Sequence, residues 1–375
     1  MVALSMVSRR ETLALTLGLG LAAAVRARPK AEAAASLNAL ARAKGMRFGS
    51  AVGDGAAGSI NDPNYAALLT AECGLLVPEN ELKWRAIRPD SEHFDFSRFD
   101  RIIAYAQAHG MAVRGHNLLW QRSKWMPRWA ESHDFGARPA AEAERLLSTH
   151  ITTVCRRYLG RIESYDVVNE AVLPENGGLA QTALSRAIGG TQTLLDLAFH
   201  TARAAAPRAQ LVYNDYMSWE SANAAHRDGV LRLLESFRRR AVPVDALGVQ
   251  SHITVQDQPQ EQSWRRFMDA VQAMGYDVLI TELDVNDQRL GADTRKRDRD
   301  VARYAGDYLD LMFSYPRLKD VLVWGMCDGA SWLQHFNPLR HDGLPKRPCP
   351  YDSNFRAKPL RGAIAAAFEA APARD

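Results

Sequence analysis

Cysteine is scarce in this 375-residue sequence. Its four copies, Cys73, Cys155, Cys327 and Cys349, never stand in C-x-x-C spacing. That excludes the usual thiol metal and redox motifs. Beyond the N-terminus no apolar run approaches the ~20 residues of a membrane span. An excess of charge of one sign is nearly missing as well. The first 35 residues hold five basic and two acidic side chains, so they carry +3 of the formal +4 and leave only +1 for the rest. Nucleic acid is therefore not an expected partner. A phosphate-cradling glycine loop is lacking too: Gly53–Gly58 is the one candidate, and it lacks the dinucleotide spacing and the acidic residue at the next strand end. No low-complexity linker divides the chain.

Of what is present, the N-terminus stands apart. Ser8-Arg9-Arg10 precedes an apolar stretch over Leu13–Val25, followed by small residues including Ala27 and Ala31–Ala35. Basic head, short apolar middle and small-residue cleavage zone make an export signal of twin-arginine type over residues 1–35. The competing reading is a membrane anchor, for which the apolar stretch is short. The mature chain is then 36–375, periplasmic or secreted and without a stable membrane anchor. Export makes disulfides possible, with Cys327 and Cys349 the pair to examine; the alternative is buried thiols.

The remainder repeats one unit, a short apolar strand ending in polar residues and then an amphipathic helix. Strands are predicted near Arg47–Ala51, Gly74–Pro78, Met111–Gly115, the stretch ending at Asn169-Glu170, Leu211–Tyr213, Ala246–Val249, the stretch ending at Glu282, and Asp320–Val323. Helices are predicted near Phe99–His109, Ala141–Tyr158, Thr191–Ala205, Ala222–Arg239, Ser263–Met274, Asp300–Ser314 and Pro359–Glu369. Eight parallel strand–helix units close as an α/β fold of (β/α)8 (TIM) barrel type, with the active site at the C-terminal strand ends.

Two of those ends carry the chemistry. Val278-Leu279-Ile280-Thr281 runs into Glu282 and Asp284, which alternation turns to one face. Asp166-Val167-Val168 runs into Asn169-Glu170. A carboxylate at the end of a buried strand needs partners or a task. Two of them facing one cleft match the acid and nucleophile of glycoside hydrolysis. Eight tryptophans supply flat faces suited to sugar rings as well as to cores.

The motifs in order resemble glycoside hydrolase family 10 endo-β-1,4-xylanases over about residues 38–370. They are Pro78-Glu79-Asn80 with Lys83-Trp84, His116 with Trp120, Asp166–Glu170, Asn214-Asp215-Tyr216, Gln250-Ser251-His252, Thr281–Asp284, Trp324-Gly325, and Ser331-Trp332. The resemblance implies a retaining endo-1,4-β-xylanase without metal or organic cofactor. It would act on xylan and xylo-oligosaccharides; separately, the chain is expected to be a monomer. Glu282 would be the nucleophile and Glu170 the acid/base, with Glu170's pKa raised by the charge of Glu282. Asn169 would bond the sugar 2-hydroxyl. His252 would rest on Glu282 with Asp284 behind it, and Gln250, two residues before His252, would point with it. Glu79, Asn80, Lys83 and His116 would bind the non-reducing side. Trp120, Trp324 and Trp332 would wall the sugar site, and Tyr216 would contact the leaving-group side. Trp84 is assigned to packing or substrate support without preference.

The sequence departs from the family at Tyr165, where Trp is usual, at Leu82, where Met is common, and at Asp328–Trp332. That last stretch lacks the basic and aromatic residues often found between Asp and Ser, which leaves the rim of the sugar site open. Pro338–Pro350, rich in proline and positive charge, has no assigned contacts. The alternatives are a retaining barrel glycosidase acting on another β-linked glucan and a non-catalytic sugar-binding barrel.

Overall fold

The computed structural model describes residues 35–375 apart from 56, 57, 337 and 375. The expected export signal therefore lies outside the described residues except for Ala35. Among the described residues no helix is long and apolar enough to cross a membrane.

Nine parallel strands occur among the described residues: β1 Arg47–Val52, β2 Leu75–Pro78, β3 Ala112–Trp120, β4 Ser164–Asn169, β5 Gln210–Asp215, β6 Ala246–Val249, β7 His252–Thr254, β8 Asp277–Asn286 and β9 Leu318–Val323. Each of β1–β5 pairs with the next, β6 pairs with β8, β8 with β9, and β9 returns to β1. Eight strands thus close a barrel, as the repeat predicts. The three-residue β7 prolongs the β6 side, pairing His252 with Asp284 beyond the barrel end.

Alternation sorts the apolar side chains into two sets. Leu76, Leu247, Val249, Val278, Ile280, Val321 and Val323 belong to the large core under the helices. Their neighbours Leu75, Val77 and Leu322 form one inner cluster, and Val212, Ala246 and Leu279 form another. Helices cover the outside by burying one stripe each. In Thr191–Ala205, predicted to the residue, Leu194, Leu195, Ala198, Phe199 and Ala202 are buried.

Most of the longer helices match the prediction within a few residues, and two of them differ more. The helix Pro63–Glu72, between β1 and β2, was not predicted. Asp62 caps it and Pro63 opens it, but its apolar residues make no sharp stripe. The helix Thr294–Phe313 starts six residues before its predicted start at Asp300, on an Asp293 cap.

The register shifts at His116–Leu119 in β3, at Asp166–Val168 in β4 and at Ile280–Leu283 in β8. Such irregularities re-aim side chains near active sites. In β4 both Val167 and Val168 join the outer core, so the alternation phase changes just before Asn169 and Glu170.

Candidate active site

Glu282 leaves β8 buried, with two polar partners. Asn214 Nδ2 on β5 donates to Glu282 Oε1 at 2.7 Å, and His252 Nε2 lies 3.2 Å from Glu282 Oε2. His252 Nδ1 sits 3.0 Å from Asp284 Oδ1, and Trp332 Nε1 donates to Asp284 Oδ2 at 2.7 Å. Glu282 and Asp284 therefore share a face, as alternation predicts, with the imidazole between them. Burial alone would raise the Glu282 pKa. The His252 hydrogen bond, the nearby charges of His116 and His252, and the Asn214 amide outweigh it and hold Glu282 below the ordinary carboxylate range. For His252, burial opposes protonation, but Asp284 and Glu282 together raise the imidazole to about 10.

Glu170 follows β4 in a left-handed backbone conformation, φ +55°, sparsely populated by residues other than glycine. Its N–H donates to the Asn214 carbonyl at 2.9 Å. Its Oε1 lies 3.3 Å from both Asn169 Nδ2 and Gln250 Nε2. The Glu170 pKa is raised, first by burial and next by Asp215; Glu282 is a smaller contributor. The expected direction holds, but the expected cause does not lead. Asp215 is fully buried, 3.0 Å from His226 Nε2, and accepts from the Tyr213 hydroxyl.

A polar chain joins the two glutamates. Asn214 Nδ2 reaches Asn169 Oδ1 at 2.8 Å as well as Glu282, and Gln250 Nε2 reaches Asn169 Oδ1 at 3.3 Å as well as Glu170. Thr281 Oγ1 donates to Asn214 Oδ1 at 2.7 Å. Gln250 and His252 both arrive at the site, but not by strand alternation. Ser251 between them has φ +64° and breaks the strand. Gln250 serves Glu170 while His252 serves Glu282.

Most of the residues expected to face the sugar contact one another around this centre. Lys83 Nζ donates to Asn80 Oδ1 at 3.1 Å and stands 4.8 Å from the Trp120 ring and 6.0 Å from the Trp324 ring. Burial lowers the Lys83 pKa and raises that of Glu79. His116 packs edge-on to Trp324 at 5.3 Å, and its Nδ1 lies 2.9 Å from Asp166 Oδ2, while Arg114 pairs with Asp166 Oδ1 at 2.5 Å. Trp332 packs on His252 at 5.1 Å. Tyr216, half-buried, accepts from Arg122 at 3.2 Å. Trp84 belongs to packing: it is buried and stacked on His150 at 4.0 Å.

Several side chains with a part here were given none by the sequence. Asn214 and Asp166 stand inside motifs, yet only the fold shows what each holds. Trp125, stacked on Trp120 at 4.7 Å, and Arg122 follow β3 without a distinguishing signal. Tyr165 fills the space that Gly115 leaves, since a Cβ there would meet its ring at 2.5 Å. All four cysteines are buried free thiols, so Cys327 and Cys349 are not joined. Pro338–Pro350 folds back as a strap: Arg340 donates to the Asp287 and Leu290 carbonyls, and Arg347 pairs with Asp298 at 2.7 Å. Among the described residues no cluster of three or more His, Cys, Asp or Glu could hold a metal ion.

Comparison with known proteins follows the same outline. The family model for Glycosyl hydrolase family 10 matches residues 36–367. Endo-1,4-beta-xylanase 1 of Humicola insolens is 32% identical over 327 residues, 86% of this chain and 72% of that protein. The native xylanase 10B of Thermotoga maritima superposes with a TM-score of 0.79 at 27% identity, over 89% of this chain and 98% of that one. Xylanase 10B of Thermotoga petrophila RKU-1 in complex with xylobiose gives 0.79 at 27% identity, over 89% and 97%.

Proposed function

This chain belongs to glycosyl hydrolase family 10, and from that premise we propose how its residues divide the work. The protein is a retaining endo-1,4-β-xylanase that hydrolyses internal β-1,4-xylosidic bonds of xylan by double displacement. Glu282, ionised and below its ordinary pKa, attacks the anomeric carbon. Glu170, whose pKa burial and Asp215 raise, delivers its proton to the departing glycosidic oxygen. The product is a covalent glycosyl-enzyme ester on Glu282. Glu170, now a carboxylate, takes a proton from water. That water attacks the same carbon from the vacated side and returns Glu282 as a carboxylate. Esterification removes the Glu282 charge and so eases Glu170 toward its basic form, while burial and Asp215 act in both steps.

Asn169 bonds the 2-hydroxyl of the sugar at the cleaved bond. His252 and Asp284 orient and stabilise the nucleophile, and Gln250 orients the acid. Glu79, Asn80, Lys83 and His116 bind on the non-reducing side, Trp120, Trp324 and Trp332 wall the site, and Tyr216 meets the leaving group. Residues 1–35 serve as a twin-arginine-type export signal. The mature protein, residues 36–375, acts as a monomer in the periplasm or outside the cell.

The observation that carries this reading is the Asn214–Asn169–Gln250 chain, which fastens Glu170 and Glu282 to one another at the barrel mouth. Digestion of a defined xylo-oligosaccharide, followed by NMR of the first product, tests it. A β-anomer from an internal bond is expected. An initial α-anomer would show inversion, and faster cleavage of carboxymethylcellulose than of xylan would move the substrate to another β-glucan.

A further inference from the structure

Four large apolar side chains are notably exposed among the described residues: Leu159, Phe336, Leu339 and Leu344. Three of them fall in the nine residues 336–344. Single exposed apolar residues are ordinary, so what each one adjoins decides its meaning. Leu159 lies elsewhere, in the turn before β4.

Phe336 adjoins the reaction centre. Trp332 packs on His252 and bonds Asp284, and its ring also meets Phe336, centroids 4.5 Å apart at 53°. Phe336 remains 48% exposed despite this contact. Its backbone is pinned. The N–H donates to the Leu333 carbonyl, and the carbonyl accepts from Lys346 Nζ at 2.8 Å, an ammonium that is itself buried. Gln334 ties the two sides of the loop, donating to the Asp328 and Lys346 carbonyls and accepting from the Lys346 N–H. Arg340 clamps the next turn to the Asp287 and Leu290 carbonyls. The loop thus holds an aromatic ring out to solvent on a fixed backbone, so little ordering is needed for the ring to meet a ligand.

We propose that Phe336 is a stacking platform for a xylose unit of the bound chain lying beyond the sugar at Trp332. The ligand class follows from shape and continuity. A β-1,4-linked pyranose chain presents flat C–H faces suited to an aromatic ring. The xylan chain that the proposed function places against Trp332 is the molecule within reach. The residues between Asp328 and Ser331, Gly329 and Ala330, offer no such face, and Phe336 supplies one four positions after Trp332. The inference rests on the xylanase reading above.

Kinetics on two substrates of the full-length enzyme test it. Phe336→Ala should raise KM for xylohexaose and for soluble xylan about fivefold more than it raises KM for an aryl xylobioside, in line with one aromatic contact. Phe336→Trp should restore most of the loss. Equal effects on short and long substrates, or a failure of Trp to rescue, would overturn the platform while leaving the xylanase reading intact. Wild-type enzyme inert on xylan would sink both. Circular dichroism of Phe336→Ala should match the wild type, since the pinning bonds are all backbone bonds at this residue.

Discussion

Asn214 Nδ2 donates to Glu282 Oε1 at 2.7 Å from a fully buried position on β5. Its other donor goes to Asn169 and its oxygen receives Thr281, so every polar group of the amide is used. Asn214→Ala removes a charge-assisted bond worth ~1.5–3 kcal/mol and leaves Thr281 and Asn169 short of a partner. A fall in kcat/KM of roughly ten- to a hundredfold is expected. The acid limb of the pH profile should move upward, because one group lowering the Glu282 pKa is gone. An unmoved acid limb would show that Asn214 only packs.

Gly248 is the β6 residue opposite that amide. A Cβ built there would stand 2.3 Å from Asn214 Oδ1 and 3.0 Å from Thr281 Cγ2. Gly248→Ala should therefore displace Asn214 and cost stability of ~1–3 kcal/mol as an overpacked site. Its activity loss should resemble that of Asn214→Ala, and the double variant should lose little more than either single one. Additive losses would mean that the two residues act separately.

Much of this was readable beforehand, for physical reasons. Strand ends such as Glu170 and Glu282 announce themselves because a carboxylate after an apolar run is costly. Helices such as Thr191–Ala205 announce themselves by a stripe. Pro63–Glu72 lacked the stripe, and only its Asp-Pro start marked it. Ser251 shows the limit of the period-two rule: Gln250 and His252 reach the site across a left-handed residue that alternation does not foresee. Asp215 raising Glu170 from behind, and Phe336 meeting Trp332, are contacts in space with no counterpart in spacing.

His252 makes stability depend on pH in a definite direction. Its folded pKa, about 10, exceeds its ordinary 6.5 because Asp284 and Glu282 favour the imidazolium. Its contribution is fully present below about pH 6.5 and is lost as pH rises through about 10. Urea unfolding of wild type and His252→Gln should differ most near pH 6 and converge toward pH 10. A gap constant across that window would contradict the charged imidazole.

Replacing either glutamate separates the two halves of the reaction. Glu282→Ala should abolish hydrolysis of every xyloside, since no ester can form. Glu170→Ala should spare the first step for aryl xylobiosides whose leaving group needs no proton, and should slow release of the glycosyl-enzyme. Loss of that carboxylate opens the face from which water attacks, so azide should enter there and yield a β-glycosyl azide. The pH profile gives a second reading. In the wild type the basic limb should lie above the ordinary carboxylate range, because burial and Asp215 raise the Glu170 pKa, and in Glu170→Ala that limb should vanish while the acidic limb set by Glu282 remains. If azide neither speeds turnover nor appears in the product, Glu170 is not the acid/base, and the search would move to the half-buried Glu79, whose pKa burial also raises.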